Sequence, residues 1–232
     1  MDNLDPVREK ITELTDRLTR YSYAYYQEDT SLVSDYEFDR LLKELEDLEN
    51  RYPQFRLPYS PTQRVGGEPV RNFKTVYHTV PMLSLGNTYS REEVAEFDAR
   101  LRKLTDQDFD YVCELKYDGL SISLSYKDGI LVRALTRGDG VKGDDVTGNV
   151  KTIRSVPLRL ARGGNYPDSF EIRGEVLMPR ASFEELNRQR EEIGETPFAN
   201  TRNAASGSLK LQDPAQVARR RLDCFLYFLI GD

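Results

Sequence analysis

The chain has 232 residues, 38% of them hydrophobic and 31% charged, which allows a core in one large domain or one domain plus a small one. No apolar run approaches a membrane span, the longest being Cys224 to Ile230, and the charged first twenty residues lack the apolar centre of a signal peptide, so a cytoplasmic globular protein without membrane association is expected. The net charge of −6 argues against a general nucleic-acid binder, but it is uneven: residues 1–68 hold fifteen acidic and nine basic side chains, and the remainder is balanced.

The acidic segment is predicted to be a helical hairpin. Asp5 is expected as a cap with Pro6 in the first helical position, where a missing N–H costs nothing. Val7, Ile11, Leu14, Leu18, Tyr21 and Tyr25 then recur at steps of three and four, one helical stripe. After the loop QEDTSLV, Ser34 and Glu37 form a capping-box pattern, and Phe38, Leu41, Leu45 and Leu48 make the apolar face of a second helix. Pro53 ends it. Pro58 and Pro61 keep the chain irregular, and a linker runs through Gly66, Gly67 and Pro69.

The second unit reads mainly as strands. Tyr111 to Lys116 is predicted as one. Leu120, Ile122, Leu124 and Tyr126 alternate with Ser121, Ser123 and Ser125, the pattern of a half-buried strand. Asp128-Gly129 is a two-residue hairpin turn that returns the chain as Ile130 to Thr136. Phe170 to Met178 is a further strand and Ala181 to Ile193 a helix with Phe183 and Leu186 inward. Cys224 to Ile230 reads as a central strand. Antiparallel strands with few helices make the fold class α+β. Cys113 and Cys224 have no metal or disulfide spacing and are expected as buried free thiols. The lone histidine, His78, is read as structural.

The chemistry gathers at "CELKYDGL", Cys113 to Leu120. Glu114 and Lys116 share a strand face, and Asp118-Gly119 turns the chain beside the lysine. A lysine held there can act as a nucleophile when burial or a neighbouring cation favours its neutral form, and Arg137 in "RGDG" is the candidate cation. The glycines of that loop let backbone N–H groups approach a phosphate. Each signal alone has an ordinary explanation: a lysine before a turn is commonly a solvated strand end, and Lys-x-Asp-Gly fixes only three positions.

In combination, "ELKYDG" with Lys116, "RGDG" with Arg137, "RGEV" with Glu175 and "FANTRNAASGSL" resemble, in order and spacing, the N-terminal part of NAD-dependent bacterial DNA ligases. "YYQEDTSLVSDYEFDRL" is similar to the helical domain peculiar to those enzymes, and "SPTQRVGG" and "PMLSLGNT" follow as that family has them. The resemblance implies a helical domain for nicotinamide mononucleotide at residues 1–68. It implies a partial adenylation (nucleotidyltransferase) domain with an antiparallel sheet at 69–232, cut short at its C-terminus. It makes Lys116 the nucleophile that attacks NAD and becomes adenylated. Glu114, Asp118, Arg137 and Glu175 would hold the adenosine and its ribose, with Ser84 and Leu85 against the nucleotide and Tyr227 near the adenine. Arg202 matches a basic position that contacts DNA or phosphate. Tyr25, Tyr26, Asp35, Tyr36, Glu37, Phe38 and Asp39 would form the mononucleotide grip. Phe38 stands where the family usually has tyrosine, so one hydroxyl is missing there.

The resemblance further implies a monomeric enzyme that seals nicks in duplex DNA during replication and repair, of which this chain would be an N-terminal fragment. Two later lysine motifs, an oligonucleotide-binding barrel, a zinc module, helix-hairpin-helix repeats and a BRCT domain are expected beyond it. NAD is the implied substrate and Mg²⁺ the implied ion. No carboxylate cluster reads as a metal cage, so Mg²⁺ is expected to ride on the substrate phosphates. An ATP-dependent ligase, RNA ligase or capping enzyme shares Lys-x-Asp-Gly, but has no use for the Tyr25-to-Asp39 segment. A module that holds NAD without turning it over is the third reading.

Overall fold

The computed structural model describes residues 4–28, 30–64, 72–161 and 163–231, and the side chains of Tyr26 and Gln27 lie outside what it describes. The linker around Gly66, Gly67 and Pro69 falls outside the described residues as well.

The acidic segment is a helical hairpin, α1 (Asp5–Gln27) and α2 (Asp35–Arg51). Asp5 is not the cap: Leu4 occupies that position without a side-chain bond, and Asp5 is already helical. Its carboxylate serves the positive end of the helix dipole instead. The second helix starts as expected, with Ser34 Oγ accepting from the Glu37 N–H at 3.2 Å. Ile11, Leu14 and Leu18 of α1 bury against Leu41 and Leu45 of α2, with Val7, Tyr21, Phe38 and Leu48 packed around them. The stripe therefore closes a small core of its own, and Tyr25 at its end emerges exposed.

The chain after α2 forms 3₁₀ turns at Pro53–Phe55 and Pro61–Arg64. Buried Glu49 holds this segment to α2: Thr62 Oγ1 donates to Glu49 Oε2 at 2.5 Å, and Arg56 Nε lies 3.3 Å from the same oxygen.

The second unit adds β1 (Thr75–Tyr77), α3 (Arg91–Arg102), β2 (Leu120–Lys127), β3 (Ile130–Thr136), β4 (Lys142–Asp144), α4 (Thr147–Val150), β5 (Ser169–Leu177), α5 (Arg180–Glu192), α6 (Thr201–Leu209), α7 (Pro214–Arg219) and β6 (Asp223–Ile230). An antiparallel four-stranded sheet has the order β3-β2-β5-β6, and β1 pairs with β4 in a small second sheet. The hairpin turn has Asp128 at φ 51° and Gly129 at φ 73°, the left-handed pair that such a turn requires.

Ile122, Leu124 and Tyr126 of β2 and Val176 of β5 point into a core closed by Leu186, Ala204, Ala205, Leu209 and Val217 of the helices. The opposite face is polar. Ser121, Ser123 and Ser125 of β2 stand in register with Glu175, Arg173 and Glu171 of β5.

Three expectations are corrected. Residues 111–116 form no strand, and Tyr111, Val112, Cys113 and Leu115 are exposed. Alternating apolar residues need a neighbouring strand to satisfy their backbone, and among the described residues this segment pairs with none. Cys113 is accordingly an exposed thiol, whereas Cys224 is buried as expected. The run Cys224 to Ile230 lies at the sheet edge rather than its centre, pairing among the described residues only with β5. Its Phe225, Tyr227, Phe228 and Leu229 are exposed. Among the described residues no helix is long and apolar enough to cross a membrane.

Candidate functional sites

The polar face of the sheet gathers most of the residues singled out in the second unit. Gly119 is required at the turn after Lys116, because a Cβ there would meet the Val176 carbonyl oxygen at 2.2 Å. That approach lets the Gly119 N–H donate to Glu175 Oε1 at 3.1 Å, while Ser121 Oγ donates to Glu175 Oε2 at 2.8 Å. Glu175 is thus buried and satisfied on both oxygens, and it ties the Lys116 turn to β5. Asp118 leaves the same turn and pairs with Arg202 of α6 at 2.8 Å, an ion pair that raises the guanidinium's affinity for its proton. Tyr117 stacks on Phe225 with ring centroids 4.4 Å apart.

Arg137 reaches this face from the end of β3. Its N–H donates to the Ser121 carbonyl at 3.1 Å, and its Nη1 donates to Ser84 Oγ at 3.3 Å. The following loop is tight: Gly138 has φ 56°, and a Cβ there would lie 2.0 Å from the Lys142 carbonyl oxygen. Asp139 Oδ1 accepts from the Lys142 and Val141 N–H groups at 2.9 Å each, which holds its carboxyl below the usual carboxylate range. His78 supports the loop from behind, with Nε2 3.1 Å from the Arg137 carbonyl oxygen. A carbonyl can only accept, so Nε2 carries the proton. Arg173 donates to the carbonyls of Pro81, at 3.0 Å, and Val80, and so anchors the irregular segment that leads to Ser84 and Leu85. Burial pushes the Tyr227 hydroxyl up, with the Glu175 carboxylate adding to it and a bond to Ser121 opposing.

Asp118, Arg137, Glu175, Arg202, Ser84 and Tyr227 are therefore linked around the turn that bears Lys116. Glu114, Lys116 and Leu85 are exposed beside them. Ser121, Arg173 and the Tyr117–Phe225 stack were not singled out from the sequence, and His78, read there as structural, supports the loop that carries Arg137. The alternation of β2 already put Ser121 on the polar face, but only the register with β5 set it against Glu175.

The hairpin residues gather elsewhere. Tyr25, Asp35, Phe38 and Asp39 line a cavity of about 670 Å³ whose other wall includes Arg154 and, from α7, Ala215, Ala218 and Arg219. Helix α7 buries Pro214 and Val217, the latter in the sheet core, and lines this cavity with Ala215, Ala218 and Arg219. The helical layer and the sheet thus stand between the cavity and the face that carries Glu175. Tyr36 is 80% exposed and does not line the cavity, and Glu37 instead lies 3.8 Å from Arg40. The side chain of Tyr26 lies outside the described residues.

The hairpin is seated on the second unit by Arg159, which meets Asp16 at 2.7 Å and covers the Tyr59 ring at 4.3 Å. Arg64 adds bonds to the carbonyls of Ile153 at 2.8 Å and Val156 at 3.0 Å. Burial pulls the Arg64 guanidinium down to about 10, so it is still charged at neutral pH. Among the described residues no group of three or more His, Cys, Asp and Glu is placed to hold a metal ion.

The family model described as the NAD-dependent DNA ligase adenylation domain matches residues 70–231. This chain belongs to the NAD-dependent DNA ligase family. A second model, the DNA ligase-like N-terminal NAD⁺-binding domain, matches residues 5–66, the hairpin and the turns after it. Similar ligases are found in Phocaeicola vulgatus, with 57% identity over 97% of this chain and 34% of the relative, and in Bacteroides fragilis, with the same three values. The DNA ligase of Fervidobacterium nodosum is 50% identical over 97% of this chain and 32% of its own length. The chain spans about a third of the length of these ligases. The resemblance drawn from the two sets of motifs is borne out, and the helical segment does mark the NAD-dependent branch of ligases.

Proposed function

We infer that this chain carries the first chemical step of an NAD-dependent DNA ligase, transfer of AMP from NAD to its own Lys116. The neutral amine of Lys116 attacks the α-phosphorus, a phosphorus–nitrogen bond forms, the bond to the nicotinamide mononucleotide phosphate breaks, and the ammonium proton passes to solvent. Catalysis of such a transfer is mostly positioning and neutralisation of developing charge. The observation that carries this reading is the chain of contacts at the lysine's turn: Gly119 and Ser121 to Glu175, Asp118 to Arg202, and Arg137 to Ser84.

Glu114, Asp118, Arg137 and Glu175 serve the adenosine and its ribose, with Tyr227 near the adenine and Ser84 and Leu85 bordering it. Arg202 is the contact for phosphate or DNA. In the hairpin, Asp35 and Asp39 face the ribose and the cationic ring, and Tyr25, Tyr26 and Phe38 supply flat surfaces. Tyr36 and Glu37 belong to the same grip. One NAD molecule must touch both groups during the step, so the hairpin swings from its seat on Arg159 to the Lys116 face. Residues 1–68 and 69–232 are the two units that move. No residue is assigned to Mg²⁺: among the described residues no group of three or more His, Cys, Asp and Glu comes together, and the ion would travel on the nucleotide phosphates. In the full-length protein, a cytoplasmic monomer, the AMP would activate a nick in duplex DNA.

Mass spectrometry of the purified chain tests this. AMP on Lys116 after incubation with NAD but not ATP is expected. An adduct formed only with ATP would make it an ATP-type nucleotidyltransferase, and no adduct with either would leave a binding module. Replacing Asp35 and Asp39 together with Asn is expected to slow NAD consumption while the preformed adduct still discharges to pyrophosphate, which does not use the hairpin.

A further inference from the structure

Three residues follow Lys116 before β2 begins, and each is fastened to a different element. Gly119 donates to Glu175 of β5 at 3.1 Å, and Asp118 pairs with Arg202 of α6 at 2.8 Å. Tyr117, joined directly to Lys116, stacks on Phe225 of β6 with ring centroids 4.4 Å apart and planes 3° from parallel. Carbon atoms touch at ~3.5–4.0 Å, so parallel rings at this centroid distance are offset, the arrangement aromatic pairs favour. Phe225 stands opposite Glu175 in register, so β5 and β6 hold the turn from neighbouring positions. Upstream there is no such support: residues 111–116 are exposed and, among the described residues, pair with no strand. The direction of Lys116 is therefore set from its C-terminal side, and the tether nearest to it along the chain is a ring. A tyrosine side chain has two rotatable bonds, each confined to a few wells, so a ring held flat fixes its own Cα and the peptide that carries the lysine. Both rings lie outside the buried core of the second unit, and Phe225 is 41% exposed.

We propose that Tyr117 and Phe225 are positioning residues for Lys116: their stack aims the amine at the α-phosphorus. This rests on the reading of Lys116 as the nucleophile and adds to it the element that directs its attack. An in-line displacement needs the amine opposite the leaving group, and a displacement of ~1 Å from the productive geometry costs ~10²-fold in rate. Asp118 and Gly119 fix where the turn lies, through an ion pair and a backbone bond. The stack fixes how the residue before them is presented. Because the rings act through the lysine and not on NAD, they govern the rate of the bound complex and leave the binding of NAD alone.

Single-turnover formation of lysyl-AMP on the intact chain, followed over a range of NAD concentrations, tests this in Tyr117→Ala, Phe225→Ala, the two together, and Tyr117→Phe. Each alanine variant is expected to lower the rate at saturating NAD about ten- to a hundredfold while the half-saturating concentration stays at the parent's value. The double variant should be no slower than the slower single one, because the same contact is removed once. Tyr117→Phe keeps the ring and should react at the parent rate. Deuterium uptake by the peptide spanning residues 112–119 should rise in the alanine variants and not in Tyr117→Phe. Urea midpoints establish that every variant is folded under the assay conditions. Parent rates in the alanine variants would overturn the proposal. So would a rise in the half-saturating NAD concentration at an unchanged rate, since the rings would then bind the nucleotide. Losses that add in the double variant would assign the rings separate roles, and a Tyr117→Phe variant as slow as Tyr117→Ala would assign the effect to the hydroxyl; either result overturns it. Failure of the underlying reading looks different, since the parent itself would form no lysyl-AMP from NAD. Deuterium uptake still judges the stack in that case, and unchanged uptake in the alanine variants would overturn it as a tether.

Discussion

Glu175 offers the sharpest separation of a structural from a chemical role. Its Oε1 accepts from the buried Gly119 N–H, and its Oε2 accepts from the half-buried Ser121 hydroxyl. Hydrogen bonds to a charged group contribute ~1.5–3 kcal/mol each, and neutral ones ~0.5–1.5 kcal/mol. In Glu175→Ala the Gly119 N–H loses its partner while buried, and the Ser121 hydroxyl recovers part of its loss from water. A cost of about 2–4 kcal/mol follows from those two bonds. In Glu175→Gln the amide oxygen keeps the Gly119 bond, and the Ser121 hydroxyl rotates to accept from the amide nitrogen. Only the charge is lost, for about 1–2 kcal/mol. Urea unfolding with the slope held constant measures both values. The formation of lysyl-AMP is then followed in Glu175→Gln under folding conditions. The expected result is a large loss of NAD-dependent adenylation in a well-folded variant, because the ribose loses its anionic acceptor. A Glu175→Ala midpoint equal to the parent's would refute the tether between Lys116's turn and β5. Parent-rate adenylation by Glu175→Gln would refute the ribose contact while leaving the tether intact.

Lys116→Arg should fold normally and take up no AMP, since arginine stays protonated and has no lone pair to attack with; an adduct on this variant, located by peptide mapping, would remove Lys116 as nucleophile. His78→Phe should raise KM for NAD more than it lowers kcat, because the Arg137 carbonyl loses its donor and the RGDG loop loosens, and His78→Gln, which restores an N–H near Nε2, should recover much of the loss. Neither variant departing from the parent KM would show that the histidine does not position Arg137. A thiol reagent should label one cysteine in the native protein, the exposed Cys113, and two in urea. Burial pushes the Cys224 thiol up to about 12, so the folded state keeps its proton where the unfolded thiol, near its ordinary ~8.5, has lost it. Its contribution to stability is whole below the ordinary thiol value and declines as pH rises from there towards 12; the Cys224→Ala variant should show a smaller fall across that window in pH-dependent unfolding.

What the sequence determined by itself is local. Steps of three and four from Val7 to Leu18 force one apolar stripe, and Ser34 three residues before Glu37 starts a helix, whatever the rest of the chain does. Asp128-Gly129 admits the left-handed turn that folds β3 back on β2, and the parity of β2 separates its serines from its core residues. The motifs around Lys116, Arg137 and Glu175 also pointed to the family directly. Tertiary structure decided whatever depends on a distant partner. Tyr111 to Lys116 has the alternation of a strand, but a strand exists only where another backbone takes up its N–H and C=O groups, and none does so among the described residues. The same limit put the apolar run of β6 at an edge and Cys113 at the surface. Glu175 was legible as a motif residue, but only its register with Ser121 and the close approach of Gly119 made it the tether of the lysine's turn. Arg154 and Arg219 carry no periodic or motif signal at all. They face the hairpin's carboxylates because two separately cored units dock through Arg159 and Arg64, and a docking geometry is written in no short stretch of sequence.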